Sequence, residues 1–258
     1  MFARKERLRN VCLGSKEKEN VQAATGRGKR GRKMAKPNLI VMLTHNDVTV
    51  KDAYDIFEEC KDIESVQHWG FKNVGLPKDE MKRIVDAMKA AGKTTYLEVV
   101  TYDEESCLEA AKTCIECGFD TLMGTLYYES VHNYLKEHNM TYSPFVGKVS
   151  GSPSILEGTN EEIIQNAKDL MAKGIDAFDI LAYRHVVDGE KLAREFCAAI
   201  DAKVAIAGSI SSYERIDTMF DIGPWGFTMG SALFTKNFVP DGSFKENLQA
   251  VADYMEKK

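Results

Sequence analysis

No apolar stretch in the chain approaches the ~18 residues needed to cross a bilayer as a helix, so no membrane span is expected. No GxGxxG follows the first apolar run, which leaves a doubly wound dinucleotide fold without its phosphate-binding turn. Cys114 and Cys117 form one CxxC, but no second pair and no nearby histidine completes a zinc set. The other cysteines, Cys12, Cys60, Cys107 and Cys197, are scattered through a chain too large to need disulfide staples, as expected in a reducing cytoplasm. Cys107, Leu108, Ala111, Cys114 and Ile115 share one helical face and read as buried helix residues. What is present, 44% hydrophobic and 28% charged residues, is too apolar for global disorder.

The net charge of -5 hides a split. Residues 1–36 hold twelve basic side chains against Glu6, Glu17 and Glu19, a balance of +9, so residues 37–258 carry -14. An acidic body argues against a broad nucleic-acid surface. The tail lacks the apolar core of a secretory signal and carries too many acidic residues for a transit peptide. A basic arm for nucleic acid is a second reading. The preferred one is that Gly28 to Lys33, GKRGRK, reflects a purine-rich ribosome-binding site translated in frame. Met34 is then the start of the natural chain, and the tail is expected to be disordered and dispensable.

From residue 37 onward a short apolar run, a loop and an amphipathic helix recur. The runs are Leu39–Leu43, Val66–Phe71, Tyr96–Val100, Leu122–Thr125, Phe145–Val149, Phe178–Tyr183, Val204–Ala207 and Gly226–Met229. Thr159 and Glu162 predict a capping box at the head of the clearest helix. Eight βα units in residues 37–258 leave no room for a second domain. Alternating strands and helices demand parallel pairing, and eight units can close on themselves, so the expected fold is α/β, a single (β/α)8 TIM barrel. A doubly wound open sheet is the alternative.

Strand seven ends in Ala207-Gly208-Ser209-Ile210 and strand eight in Met229-Gly230-Ser231-Ala232. Loops after these two strands commonly bind phosphate in such barrels, through main-chain N–H groups that glycine lets come close. In these two segments the chain resembles the ribulose-phosphate-binding barrel superfamily of phosphosugar epimerases, isomerases and decarboxylases and the barrels of histidine and tryptophan biosynthesis. The resemblance implies that Gly208, Ser209, Gly230 and Ser231 hold the phosphate of a small phosphorylated substrate.

A charged residue inside an apolar barrel strand should point to the barrel axis. Glu98, Lys148 and Asp179 are such residues, Lys72 closes its strand, and His45 and Asp47 lie just beyond theirs, at the end where barrel active sites form. Two chemistries fit. In enolisation, Glu98 or Asp179 removes a proton beside a carbonyl while Lys72 or Lys148 stabilises or protonates the oxygen. In the other, Lys148 or Lys72 forms a Schiff base, as in an aldolase. Gly70-Phe71-Lys72 is similar to the lysine-bearing second strand of N-acetylmannosamine-phosphate epimerases, whose acidic residue beside strand seven has no counterpart in Ala207-Gly208-Ser209. Arg184 and His185 follow strand six, and Arg184 is expected to contact an anionic group. A metal set of His45, Asp47, His68 and Glu98 lacks tight spacing, and neither metal nor cofactor is expected. The reading is therefore a cytoplasmic phosphosugar isomerase or epimerase, free to form homo-oligomers. A Schiff-base lyase and a non-catalytic phosphosugar-sensing regulator, similar to glycerol-phosphate-responsive antiterminators, are its alternatives.

Overall fold

The computed structural model describes residues 36–258, so the expectations for the tail concern residues outside that range, Lys36 excepted. Eight parallel strands form the barrel: β1 (Asn38–Met42), β2 (His68–Lys72), β3 (Thr94–Val99), β4 (Thr121–Gly124), β5 (Thr141–Ser143), β6 (Ala177–Ile180), β7 (Lys203–Ile206) and β8 (Gly226–Met229). Hydrogen bonding runs continuously from β6 through β7, β8 and β1 to β5. Between β5 and β6 the ring is nearly closed by a parallel bridge from Phe145 to Asp179, whose N–H donates to the Pro144 carbonyl at 3.1 Å. No helix among the described residues is long and apolar enough to cross a membrane.

The helices are α1 (Ala53–Cys60), α2 (Lys78–Ala90), α3 (Glu104–Cys117), α4 (Glu129–Glu137), α5 (Asn160–Ala172), α6 (Gly189–Ala199), α7 (Tyr213–Ile222), the one-turn α8 (Ser231–Phe234) and α9 (Phe244–Glu256). The capping box of Thr159 and Glu162 opens α5 as expected. Gly118 caps α3 in the left-handed conformation that a side chain resists.

Strand alternation sorts the core into two parts. Leu39, Val41, Trp69, Phe71, Leu97, Val99, Phe178, Ile180 and Phe227 face outward, where they pack with the apolar helix stripes, including Phe57, Met88, Cys107, Cys114 and Phe196. The intervening residues face the axis, where Ile40, Met42, Tyr96, Met123 and Ala205 form a smaller cluster against Trp225. Cys60, Cys107, Cys114 and Cys117 are buried free thiols, and burial pushes Cys60 up to about 11. They are packing residues.

The fifth strand differs from its expected place. It is Thr141–Ser143, and of the apolar residues Phe145–Val149, Phe145 keeps only its bridge to Asp179 before the chain turns out of the barrel. Gly147, with φ 79°, begins the departure, and Lys148–Ser150 pairs antiparallel with Ile155–Glu157 in a hairpin above the strand. Lys148 is exposed on that hairpin, which corrects its expected axial position. Three residues of mixed polarity can serve as a strand because β4 pairs with all three, Thr121 with Thr141 through Met123 with Ser143.

Candidate active site

The carboxyl-terminal ends of the strands surround a cavity of about 230 Å³ whose lining includes Asp47, Lys72, Glu98, Arg184, Ser209 and Ser231. Lys72 and Glu98 arrive from adjacent strands in register, Lys72 opposite Glu98. Asp47 comes from a hairpin after β1, in which Thr44–His45 pairs with Val48–Thr49. Asn46 and Asp47 form its tip, both with positive φ (51° and 61°), a conformation in which short polar side chains are over-represented. The result is one cation among carboxylates: Lys72 Nζ lies 2.8 Å from Asp47 Oδ1 and 3.7 Å from Glu98 Oε1. Arg184 Nη2 lies 3.9 Å from the same Asp47 oxygen.

Burial acts on these groups in opposite senses. It lowers the affinity of Lys72 for its proton, but Glu98 and then Asp47 more than compensate, and the lysine ends above its ordinary value. Burial raises Glu98, with Lys72 opposing and Asp47 assisting, so this carboxyl titrates above its usual range. Asp179 is fully buried, neither of its oxygens has a hydrogen-bond partner, and burial followed by the Glu98 charge holds it well above the carboxylate range. It sits behind the cavity wall, not among the lining residues.

The opposite wall is built from the loops after β7 and β8. Arg215 Nη1 donates to the Ser209 carbonyl at 2.9 Å while its guanidinium stacks 4.0 Å from the Tyr183 ring, and Asn237 Nδ2 donates to the Ser211 carbonyl at 3.1 Å. With these carbonyls engaged, the N–H groups of Gly208, Ser209, Ile210, Ser211, Ser231 and Ala232 find no protein acceptor among the described residues. A concave row of unpaired main-chain donors suits an anion.

The glycines of that wall, which line the cavity, also serve the packing. A side chain at Gly208 would meet Arg184 Cγ at 2.8 Å, and one at Gly230 would meet the carbonyl oxygens of Met42 and Thr44, each at 2.9 Å. Both positions are filled by the protein itself. Gly208 admits the Arg184 stem and Gly230 admits the chain leaving β1.

Of the residues singled out in the sequence, Lys72, Glu98, Asp47, Arg184, Gly208, Ser209, Gly230 and Ser231 share this cavity. Lys148 does not, and His45 turns away to pack 5.5 Å from the Phe234 ring. His68 begins β2 at the far end of the barrel, where its Nδ1 pairs with the Tyr96 hydroxyl at 2.8 Å. The metal set considered above is thus not assembled, and no group of three or more candidate ligands occurs among the described residues. Sequence reasoning missed Arg215, Asn237 and Ser211, which shape the wall of N–H donors, and Thr49, which bonds the Lys72 backbone. None stands in a motif.

No protein-family model and no curated protein matches the chain. Solved structures do. Orotidine 5'-phosphate decarboxylase from Pyrococcus horikoshii OT3 superposes with a TM-score of 0.63 at 12% identity, over 84% of this chain and 99% of that one. Native KDPGal gives 0.60 at 16%, over 86% and 95%. A glycerol uptake operon antiterminator regulatory protein from Listeria monocytogenes gives 0.53 at 14%, over 76% and 93%. At such identities the likeness is one of fold.

Proposed function

We propose that this chain is a phosphosugar-processing enzyme of the phosphate-binding barrel type, which moves a proton on the carbon beside a carbonyl. The observation that carries the reading is the placement of an ammonium, Lys72, against two carboxylates in one cavity whose facing wall is a row of unpaired N–H donors. The donors after β7 and β8 hold the phosphate, with Arg184 beside them. Glu98, raised by burial, is the base, since a carboxyl that titrates above its usual range gains driving force for taking a proton near neutrality. Lys72, held as a cation by its neighbours, stabilises the negative oxygen of the enolate and returns a proton to it. The same facts weigh against an imine on Lys72, because Schiff-base chemistry needs a neutral amine.

A second reading, a lyase, is favoured by the fold shared with orotidine 5'-phosphate decarboxylase. Loss of carbon dioxide or cleavage of a carbon–carbon bond beside a carbonyl also leaves an enolate, and Lys72 would stabilise it equally well. The likeness to an antiterminator regulator supports a third reading, phosphosugar sensing without turnover.

Incubation with a panel of aldose and ketose phosphates and of phosphorylated keto acids in deuterated water separates the three. Proton transfer places deuterium beside the carbonyl of one compound, and Glu98→Gln should slow that exchange by about 10²-fold or more while sparing binding. Carbon dioxide release, or a new aldehyde without exchange into the starting sugar, selects the lyase. Thermal stabilisation by a phosphosugar with neither product selects the sensor.

A further inference from the structure

The Asp47 carboxylate reaches Lys72 from the tip of the hairpin after β1, and the grip of that hairpin on the lysine is concentrated in one buried side chain. The Thr49 hydroxyl donates to the Lys72 carbonyl at 2.8 Å and accepts from the Lys72 N–H at 2.9 Å. Thr49 is 2% exposed, and its own N–H donates to the Val74 carbonyl at 3.0 Å. Two residues earlier in the same hairpin stands Asp47. The hydroxyl thus satisfies both main-chain groups of the residue whose ammonium Asp47 must meet, and fixes the distance between the two chains at that point.

We propose that Thr49 is a positioning residue of the active site, holding the Asp47 carboxylate on the Lys72 ammonium by clamping the hairpin to the Lys72 backbone. The inference rests on the proposed reaction for its consequence in turnover, but not for its geometry. A hydroxyl is required because the clamp needs a donor and an acceptor in one atom, which an isosteric valine lacks. The group it governs is faced by Asp47 from the hairpin, Glu98 from β3, Arg184 and Asp179 from β6 and its loop, and Tyr102 after β3. Glu98 and Asp47 favour the charged lysine, whereas Arg184 opposes it. If the hairpin slackens, Asp47 withdraws and Lys72 gives up its proton at a lower pH.

The test follows the titration of Lys72 directly, through the carbon-13 shift of its Cε, assigned by its disappearance in Lys72→Met. Thr49→Val should lower the midpoint by about one pH unit, the size of effect that one close opposite charge exerts. Asp47→Asn should lower it at least as far, and Thr49→Ser should restore the original value. Where Thr49→Val does not fold, Thr49→Cys, which keeps a weak donor at similar volume, is read in the same way. With substrate, Thr49→Val should leave KM for the phosphorylated compound unchanged and lose kcat at high pH, where the parent enzyme still holds the Lys72 proton. The alkaline limb of its profile should move down with the Cε midpoint. An unshifted Lys72 midpoint in folded Thr49→Val, or in Thr49→Cys where the valine variant does not fold, overturns the proposal. A shifted midpoint in a protein that exchanges no deuterium sustains it and rejects only the proton-transfer reading.

Discussion

Asp179 joins the fold at the cost of an acid whose two oxygens find no partner. A carboxyl held so far above its usual range keeps its proton in the folded chain and loses it in the unfolded one. The sign follows. As pH rises from the ordinary aspartate range toward the raised value, folding must take up a proton that becomes scarcer, so the native state loses stability at up to about 1.4 kcal/mol per pH unit from this residue alone. Asp179→Asn removes the titration. The variant should therefore gain stability relative to the parent between pH 5 and pH 8, read as a Tm difference that widens with pH. A constant difference across that range would mean that Asp179 is already ionised and held by Lys72.

The loops and short strands show which parts of the molecule could be read in advance. Seven barrel strands announce themselves as apolar runs, because a strand flanked by helices and neighbours must be apolar to be buried. The fifth could not be found that way, since Thr141-Tyr142-Ser143 carries no such signal while the adjacent Phe145–Val149 does, and Lys148 was carried into the barrel with it. Lys72, Glu98 and Asp47 were legible singly, as charges in or after strands. Their convergence on one atom was not, because it depends on a two-residue turn between strands too short for any periodicity. Gly230 makes the same point in energetic terms. Beyond lining the cavity, it is the place where the loop after β8 touches the carbonyls of β1 and its hairpin, which no motif announces. Gly230→Val should consequently destabilise the protein without any ligand, by about 1–3 kcal/mol as overpacking does, seen as a lower denaturant midpoint. Ser231→Ala, on the exposed side of the same loop, should leave that midpoint in place.

Across the whole molecule, the ladder that circles the barrel is continuous through seven of its contacts and thin at the eighth. Between β5 and β6 it rests on the Phe145 bridge and the Asp179 N–H bond to Pro144. Amide exchange should register the difference. The Asp179 amide is expected to exchange through a local opening, faster than the Leu97 amide in the centre of β3, whose exchange requires global unfolding. Equal protection at both sites would show that the ring unfolds as one. The seam also sets how the innermost acid communicates with its surroundings. Because Asp179 is both the sealed carboxyl and the hinge of the closure, water can hydrate its side chain only during those openings. Its proton is then traded with the solvent at the rhythm of the backbone's own breathing, and a fast jump in pH should reach Asp179 after a lag that the cavity-lining Glu98 does not share.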